Sequence, residues 1–206
     1  MEADNERRTP FRILLVSPVD KAMLGKDFYF KFPHLSLPTL AAYTTPAAHV
    51  DIIDEKFEAI PDGRGYDLVG ITAMTPLAPR AYRIADGFRS RGIPVILGGY
   101  HPTVLPDEAR EHADSVCIGE AETLWPTIVA DAMAGRLKET YRSNRFPCLE
   151  NIPLPRRELV RVPRSRRFDH INVYFVQTTR GCPHRCSFCA VTSVLGGKLR
   201  HRPVTE

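Results

Sequence analysis

Phe11-Arg12-Ile13-Leu14-Leu15-Val16-Ser17 runs straight into Pro18. Its four consecutive aliphatics leave no polar face. The stretch therefore reads as a strand buried on both sides and ended by the proline. The same pattern recurs along the chain. Val50–Asp54 reads as a second strand, and Asp67–Thr72 as a third, introduced by the turn residues Pro61, Gly63 and Gly65. Ile93–Leu97 is a fourth strand that leaves through Gly98-Gly99, and Ser115–Ile118 is a fifth. Helices are predicted between them: Pro38–Ala48, with Pro46 as a late breaker; Pro79–Arg91, with apolar residues at 81, 84, 85 and 88; Pro106–His112; and Ala121–Ala134, stopped by Gly135. Val19–Leu37 has no clean period and reads as a long loop. Apolar strands alternating with helices mean a parallel sheet covered on both faces. The expected fold is α/β, a flavodoxin-like doubly wound domain. Such sheets bind ligands beyond the carboxyl ends of their strands, so the loops after Ser17, Thr72, Leu97 and Ile118 are the candidate site.

The 206 residues suffice for one large domain or two small ones, and 43% of them are apolar. The longest apolar runs are strand-sized, so no transmembrane segment is expected. Met1–Thr9 is charged and polar and lacks the apolar core of a secretory signal, which makes the cytoplasm the expected location. The net charge of +4 is local. Arginines 156, 157, 161, 164, 166 and 167 face only Glu158 and Asp169 between them. No stacking aromatics are interleaved, so the run reads as a solvated linker or an interface ion network, and no nucleic-acid partner is expected. The expected organisation is a domain over 10–140, a Pro/Arg-rich linker over 141–170, and the beginning of a second domain over 171–206.

Five cysteines stand at 117, 148, 182, 186 and 189. Three crowd into Cys182-Pro-His-Arg-Cys186-Ser-Phe-Cys189, after a predicted strand at Ile171–Val176. A disulfide framework would spread them; a reducing compartment and metal ligation suit this spacing better. Thiolates are soft ligands for iron–sulfur or zinc. Three sulfurs fit a [4Fe–4S] cluster that keeps one iron open. The alternatives are zinc, with His184 or His201 as a fourth ligand or with a water in that place, and redox-active or inert thiols. Cys117 falls on a buried strand and reads as core, Cys148 as a linker thiol, and Trp125 as helix packing.

Gly181-Cys182-Pro-His-Arg-Cys186-Ser-Phe188-Cys189, entered from Gln177-Thr-Thr-Arg180, resembles the cluster loop of radical S-adenosylmethionine (SAM) enzymes. The resemblance implies that Cys182, Cys186 and Cys189 hold a [4Fe–4S] cluster whose open iron chelates SAM, with Phe188 beside both. It implies reductive cleavage of SAM to a 5′-deoxyadenosyl radical, fed by an external one-electron reductant of flavodoxin or ferredoxin type. Leu37-Pro-Thr-Leu-Ala-Ala-Tyr43, Asp67–Thr72, Gly98-Gly-Tyr-His-Pro-Thr103 and Ile118-Gly-Glu-Ala-Glu122 resemble the cobalamin-binding domain that precedes many radical SAM barrels.

On that resemblance Ser17, Thr72, Gly98, Gly99, His101, Gly119 and Glu120 are the cobalamin-site residues. Glycines at a strand end let backbone approach a macrocycle or its nucleotide tail. The bland reading is that the glycines only turn the chain and Glu120 caps the next helix. The stretch after Ser17 lacks the Asp-x-His-x-x-Gly in which a histidine ligates cobalt, and many radical SAM members with this domain lack it too. The resembling families include the anaerobic Mg-protoporphyrin monomethyl ester cyclase and hopanoid methylases. The expected reaction is methyl transfer to an unactivated carbon of a small-molecule or lipid-like substrate, with oxidative cyclisation as the alternative. A non-catalytic cobalamin- or metal-binding module is the third reading. A full barrel needs about 200 residues, so the chain is expected to hold only the barrel's first strand, cluster loop and first helix.

Overall fold

The computed structural model describes residues 10–20, 33–143, 145–162 and 175–204. Six strands form one parallel sheet: β1 (Phe11–Ser17), β2 (Ala48–Asp54), β3 (Leu68–Thr72), β4 (Val95–Gly98), β5 (Ser115–Ile118) and β6 (Thr140–Arg142). The order across the sheet is β2-β1-β3-β4-β5-β6. The chain steps from β1 to β2 on one side, then returns to place β3 on the other. The sheet's order thus reverses between β1 and β3, which makes their carboxyl ends the switch point of the fold. The doubly wound α/β architecture is as the apolar strands imply.

Strand residues alternate between two cores. Leu14, Val16, Val69, Ile71, Val95, Leu97, Val116 and Ile118 face α2 (Ala78–Arg89) and α4 (Pro106–Glu111). Ile13, Leu15, Val50, Ile52, Leu68, Ile96 and Cys117 face α1 (Ser36–Ala42) and α5 (Trp125–Met133). Both faces of β1 are dry, and each fully buried aliphatic side chain contributes about 1.5–3 kcal/mol relative to exposure. Cys117 is core, as its strand position predicts.

Four elements depart from the sequence reading. The helix predicted over 38–48 is α1, which already ends at Ala42, and Ala48 opens β2. Gly98-Gly99 does not simply turn the chain: it opens a short helix, α3 (Tyr100–Val104). A sixth strand, β6, pairs with β5 across the boundary expected at 140. The helix predicted over 121–134 begins only at Trp125. The predicted strand over 171–176 falls mostly, and the predicted loop over 19–37 largely, outside the described residues, as does the linker over 163–170. Beyond them, β7 (Thr179–Arg180) pairs antiparallel with β8 (Arg200–His201), and α6 (Val191–Leu195) lies between the two. A short additional sheet thus follows the α/β domain. No helix among the described residues is long and apolar enough to cross a membrane.

Candidate functional site

Gly70 sits mid-strand in β3 on the face that looks toward α1 and α5. Having no side chain, it leaves a gap among Leu15, Ile96 and Trp125; a Cβ there would come within 2.8 Å of Leu15 Cδ2. The gap opens into a cavity of about 340 Å³ that runs to the carboxyl ends of β1, β3, β4 and β5. Its floor is Leu15, Gly70, Ile96, Cys117 and Trp125, and its upper wall is Ser17, Thr72, Gly98, Gly99, Gly119 and Glu120. Leu37, Thr39 and Leu40 of α1 close one side. Six of the seven cobalamin-site residues read from the sequence are therefore brought together around one cavity.

The glycine turns of the rim are held by backbone and the Thr103 hydroxyl. The Ala73 amide donates to the Gly98 carbonyl at 2.9 Å, and the His101 amide to the Ala73 carbonyl at 3.1 Å. The Thr103 hydroxyl donates to the Gly99 carbonyl at 2.7 Å and accepts from the Gly119 amide at 3.0 Å, which ties the two glycine turns together. Gly99 has φ +98°, and a Cβ there would meet Thr72 Oγ1 at 2.7 Å and the Ala73 carbonyl at 2.9 Å. Glycine is required at 99 on both counts.

His101 is not in the cavity wall. Its ring is buried toward α2, with Nε2 2.9 Å from the Tyr82 hydroxyl and 3.3 Å from Glu108 Oε1. Burial and the Glu108 carboxylate hold the Tyr82 hydroxyl well above its ordinary pKa. The side chain pins α3 to α2, because the helix that begins at Tyr100 carries residue 101 to the other side of the sheet. Glu120 lines the cavity rim, yet its carboxylate is occupied: Arg180 Nη1 donates to Oε2 at 2.7 Å, and Arg200 donates to both oxygens.

The wall holds groups that sequence reasoning passed over. Gly70 carried a signal, since a glycine inside an apolar strand marks close approach. Trp125 lines the floor, and its Nε1 donates to Thr44 Oγ1 at 2.8 Å. Arg180 and Val194 reach the cavity from the segment that carries the three cysteines, and no local pattern announces that. Burial, with a smaller push from Glu122, raises the Cys117 thiol to about 12. Iodoacetamide at pH 8 is accordingly expected to alkylate Cys148, Cys186 and Cys189 in the folded chain and to spare Cys117; peptide mass mapping reads this. Native labelling of Cys117 at rates like the others would contradict the dry floor.

Cys182 is half-buried, Cys186 and Cys189 are exposed, and none is in a disulfide. The Cys189 amide donates to the Cys186 carbonyl at 3.1 Å, and the Thr192 hydroxyl ties α6 back to the His184 carbonyl at 2.8 Å. Gly181, with φ +90°, has no room for a Cβ, which would run into the Lys198 carbonyl. Phe188 is 90% exposed. Among the described residues no three Cys, His, Asp or Glu side chains are gathered at metal-binding distance. The donor set itself, three free thiols on one loop, suits a soft metal centre. The floor left by Gly70 and the glycine rim suit one arm of a bulky cofactor.

A protein-family profile described as "B12 binding domain" matches residues 30–129. The chain is 41% identical over 169 residues to the bacteriochlorophyllide d C-8(2)-methyltransferase of Chlorobaculum tepidum, covering 81% of this chain and 38% of that protein. It is 33% identical over 202 residues to the C-12(1)-methyltransferase of the same organism, covering 97% of this chain and 44% of that protein. An uncharacterized methyltransferase of Pyrococcus horikoshii is 28% identical over 228 residues, 94% of this chain and 48% of its own length. The chain thus spans less than half the length of these relatives. The matches point to methyltransferases and not to the cyclase or hopanoid methylase subfamilies. Residues 30–129 thus belong to the B12-binding domain family, in a chain related to these methyltransferases.

Proposed function

We propose that this chain is the cobalamin-holding part, with the beginning of the cluster domain, of an enzyme that transfers a methyl group to an unactivated carbon. The observation that carries the reading is the cavity at the switch point of the sheet, whose wall includes Arg180 and Val194 from the cysteine-bearing segment. Bound there, cobalamin would provide methyl-carrier chemistry, and a [4Fe–4S] cluster held by the cysteine loop would provide one-electron reducing power toward SAM. Leu15, Gly70, Ile96, Cys117 and Trp125 would hold the nucleotide tail in an apolar slot. Ser17 and Thr72 would donate hydrogen bonds at its mouth, and Gly98, Gly99 and Gly119 would let backbone come close. Cys182, Cys186 and Cys189 would hold the cluster. Phe188, in the turn between two ligands, would cover it and exclude water.

The two Chlorobaculum tepidum relatives are named as methyltransferases of bacteriochlorophyllide d, a tetrapyrrole. A tetrapyrrole with an unactivated side-chain carbon is accordingly the proposed substrate class of the whole enzyme, and a flavodoxin- or ferredoxin-type protein the proposed reductant. The domain division belongs to the same proposal, with the first domain carried through β6 to Arg142 in place of the expected end at 140.

The test of the cobalamin site is retention. Hydroxocobalamin mixed with the chain is expected to co-elute on gel filtration at about one per chain, read from its visible absorbance. Gly70→Leu fills the slot and is expected to weaken retention by at least about tenfold, the worth of roughly 1.4 kcal/mol. Its circular dichroism should stay that of the parent. A parent chain that releases cobalamin, or a folded Gly70→Leu chain that keeps it, would overturn the assignment.

A further inference from the structure

Four charged side chains from distant parts of the chain meet at the cavity rim. Glu120 and Glu122 stand in the turn after β5. Arg180 bonds Glu120 at 2.7 Å and Glu122 at 2.5 Å, and Arg200 bonds Glu120 through both carboxylate oxygens. The side chains are 4%, 14%, 10% and 15% exposed for Glu120, Glu122, Arg180 and Arg200. Two positive and two negative charges balance in a mostly dry place.

What these ions connect is informative. Arg180 lies two residues before Cys182. Arg200 also donates to the Leu195 carbonyl at the end of α6, at 2.8 Å, and to the Pro147 carbonyl at 2.7 Å. Both ends of the loop that carries the cysteines are therefore fastened to the same turn of the B12-binding domain. Val194, between them, is buried in the cavity wall, and α6 rests on α3. Exposed ion pairs contribute little, but removing one member of a buried set leaves an uncompensated charge and is strongly disruptive. A neutral surface turn would let the loop settle in many places; this one fixes both of its ends.

We propose that Glu120 and Glu122 are a dock for the cysteine-bearing segment, and that Arg180 is a positioning residue that sets where the cysteine loop stands relative to the cavity. Glu120 acts on the loop through Arg180 and Arg200 and does not bind cofactor. The placement itself needs no cofactor. Its consequence for chemistry rests on the proposed function, and the experiment separates the two.

Hydrogen–deuterium exchange on the chain without cofactors reads the dock. Glu122→Gln and Glu120→Gln are expected to speed exchange in peptides spanning 179–201 by at least about tenfold, while peptides from β1, β3 and β4 keep their protection. Arg180→Lys keeps the charge without the fork that reaches both carboxylates, and it should restore part of the protection lost in Arg180→Met. With cobalamin and an iron–sulfur cluster both loaded, cob(II)alamin broadens the electron paramagnetic signal of the reduced cluster according to their separation. That broadening should change in Glu122→Gln while cobalamin retention stays at the parent level. Unchanged exchange in 179–201 for both glutamine variants overturns the proposal. So does a Glu120→Gln chain that loses cobalamin with its docking protection intact, because Glu120 would then be a cofactor contact. If the parent binds neither cofactor, the exchange arm still decides the dock, and only the proposed function falls.

Discussion

Cys186→Ala is expected to leave the chain without an iron–sulfur cluster. The cysteine loop offers three thiols and no spare, and Cys186 and Cys189 share one turn through the Cys189 amide. A cluster with three protein ligands cannot lose one and stay bound in the same way. Removing groups that merely support a metal ligand already costs about 10–100-fold in affinity, so loss of a ligand should exceed that. After anaerobic reconstitution with iron and sulfide, iron per chain should fall to background, and the electron paramagnetic signal that responds to SAM in the parent should be gone. Cys186 does not line the cavity, so cobalamin retention should be unchanged. A variant that holds full iron, or a parent that binds stoichiometric zinc and shows no iron signal, would remove the cluster from the proposal.

Trp125→Ala is expected to destabilise the fold by about 3–5 kcal/mol, the range for deleting a large buried aromatic. Trp125 is 2% exposed and closes the floor beneath Gly70 and Leu15. The deletion also removes the donor to Thr44 Oγ1. Urea denaturation followed by far-ultraviolet circular dichroism should show a lower midpoint, and cobalamin should no longer be retained because the slot has lost a wall. Trp125→Phe separates packing from hydrogen bonding. It keeps an aromatic ring but forfeits the N–H, worth about 1 kcal/mol, and part of the indole, so it should recover part of the stability and retention. A loss below about 1 kcal/mol in Trp125→Ala would show that the ring does not support the cavity.

The strands were legible because β1, β3, β4 and β5 are apolar on both faces, which only a sheet covered on both sides accommodates. The three cysteines were legible because the first and last lie only seven residues apart, and no core needs that. Gly98, Gly99 and Gly119 were legible as a rim because they end strands. His101 was misplaced: its position in the loop after β4 was visible, but the helix that turns its ring toward Tyr82 was not. β6 was missed because three residues, Thr140-Tyr141-Arg142, give no period to read; pairing with β5 makes them a strand. Gly70 was passed over because a missing side chain matters only once Leu15, Ile96 and Trp125 surround it.

By itself the sequence determined the α/β class, the end of the sheet where a ligand would sit, and the thiol set suited to a metal centre. These follow from local composition and short spacing, which need no knowledge of what lies across the fold. The strand order, the cavity beneath Gly70, the burial of His101 and the joining of Glu120 to Arg180 and Arg200 were decided by tertiary structure alone. Each depends on residues brought together from far apart, 60 and 80 positions in the case of Glu120. Parallel pairing and buried ion sets are stabilised by what they meet in space, and the chain order does not state those meetings.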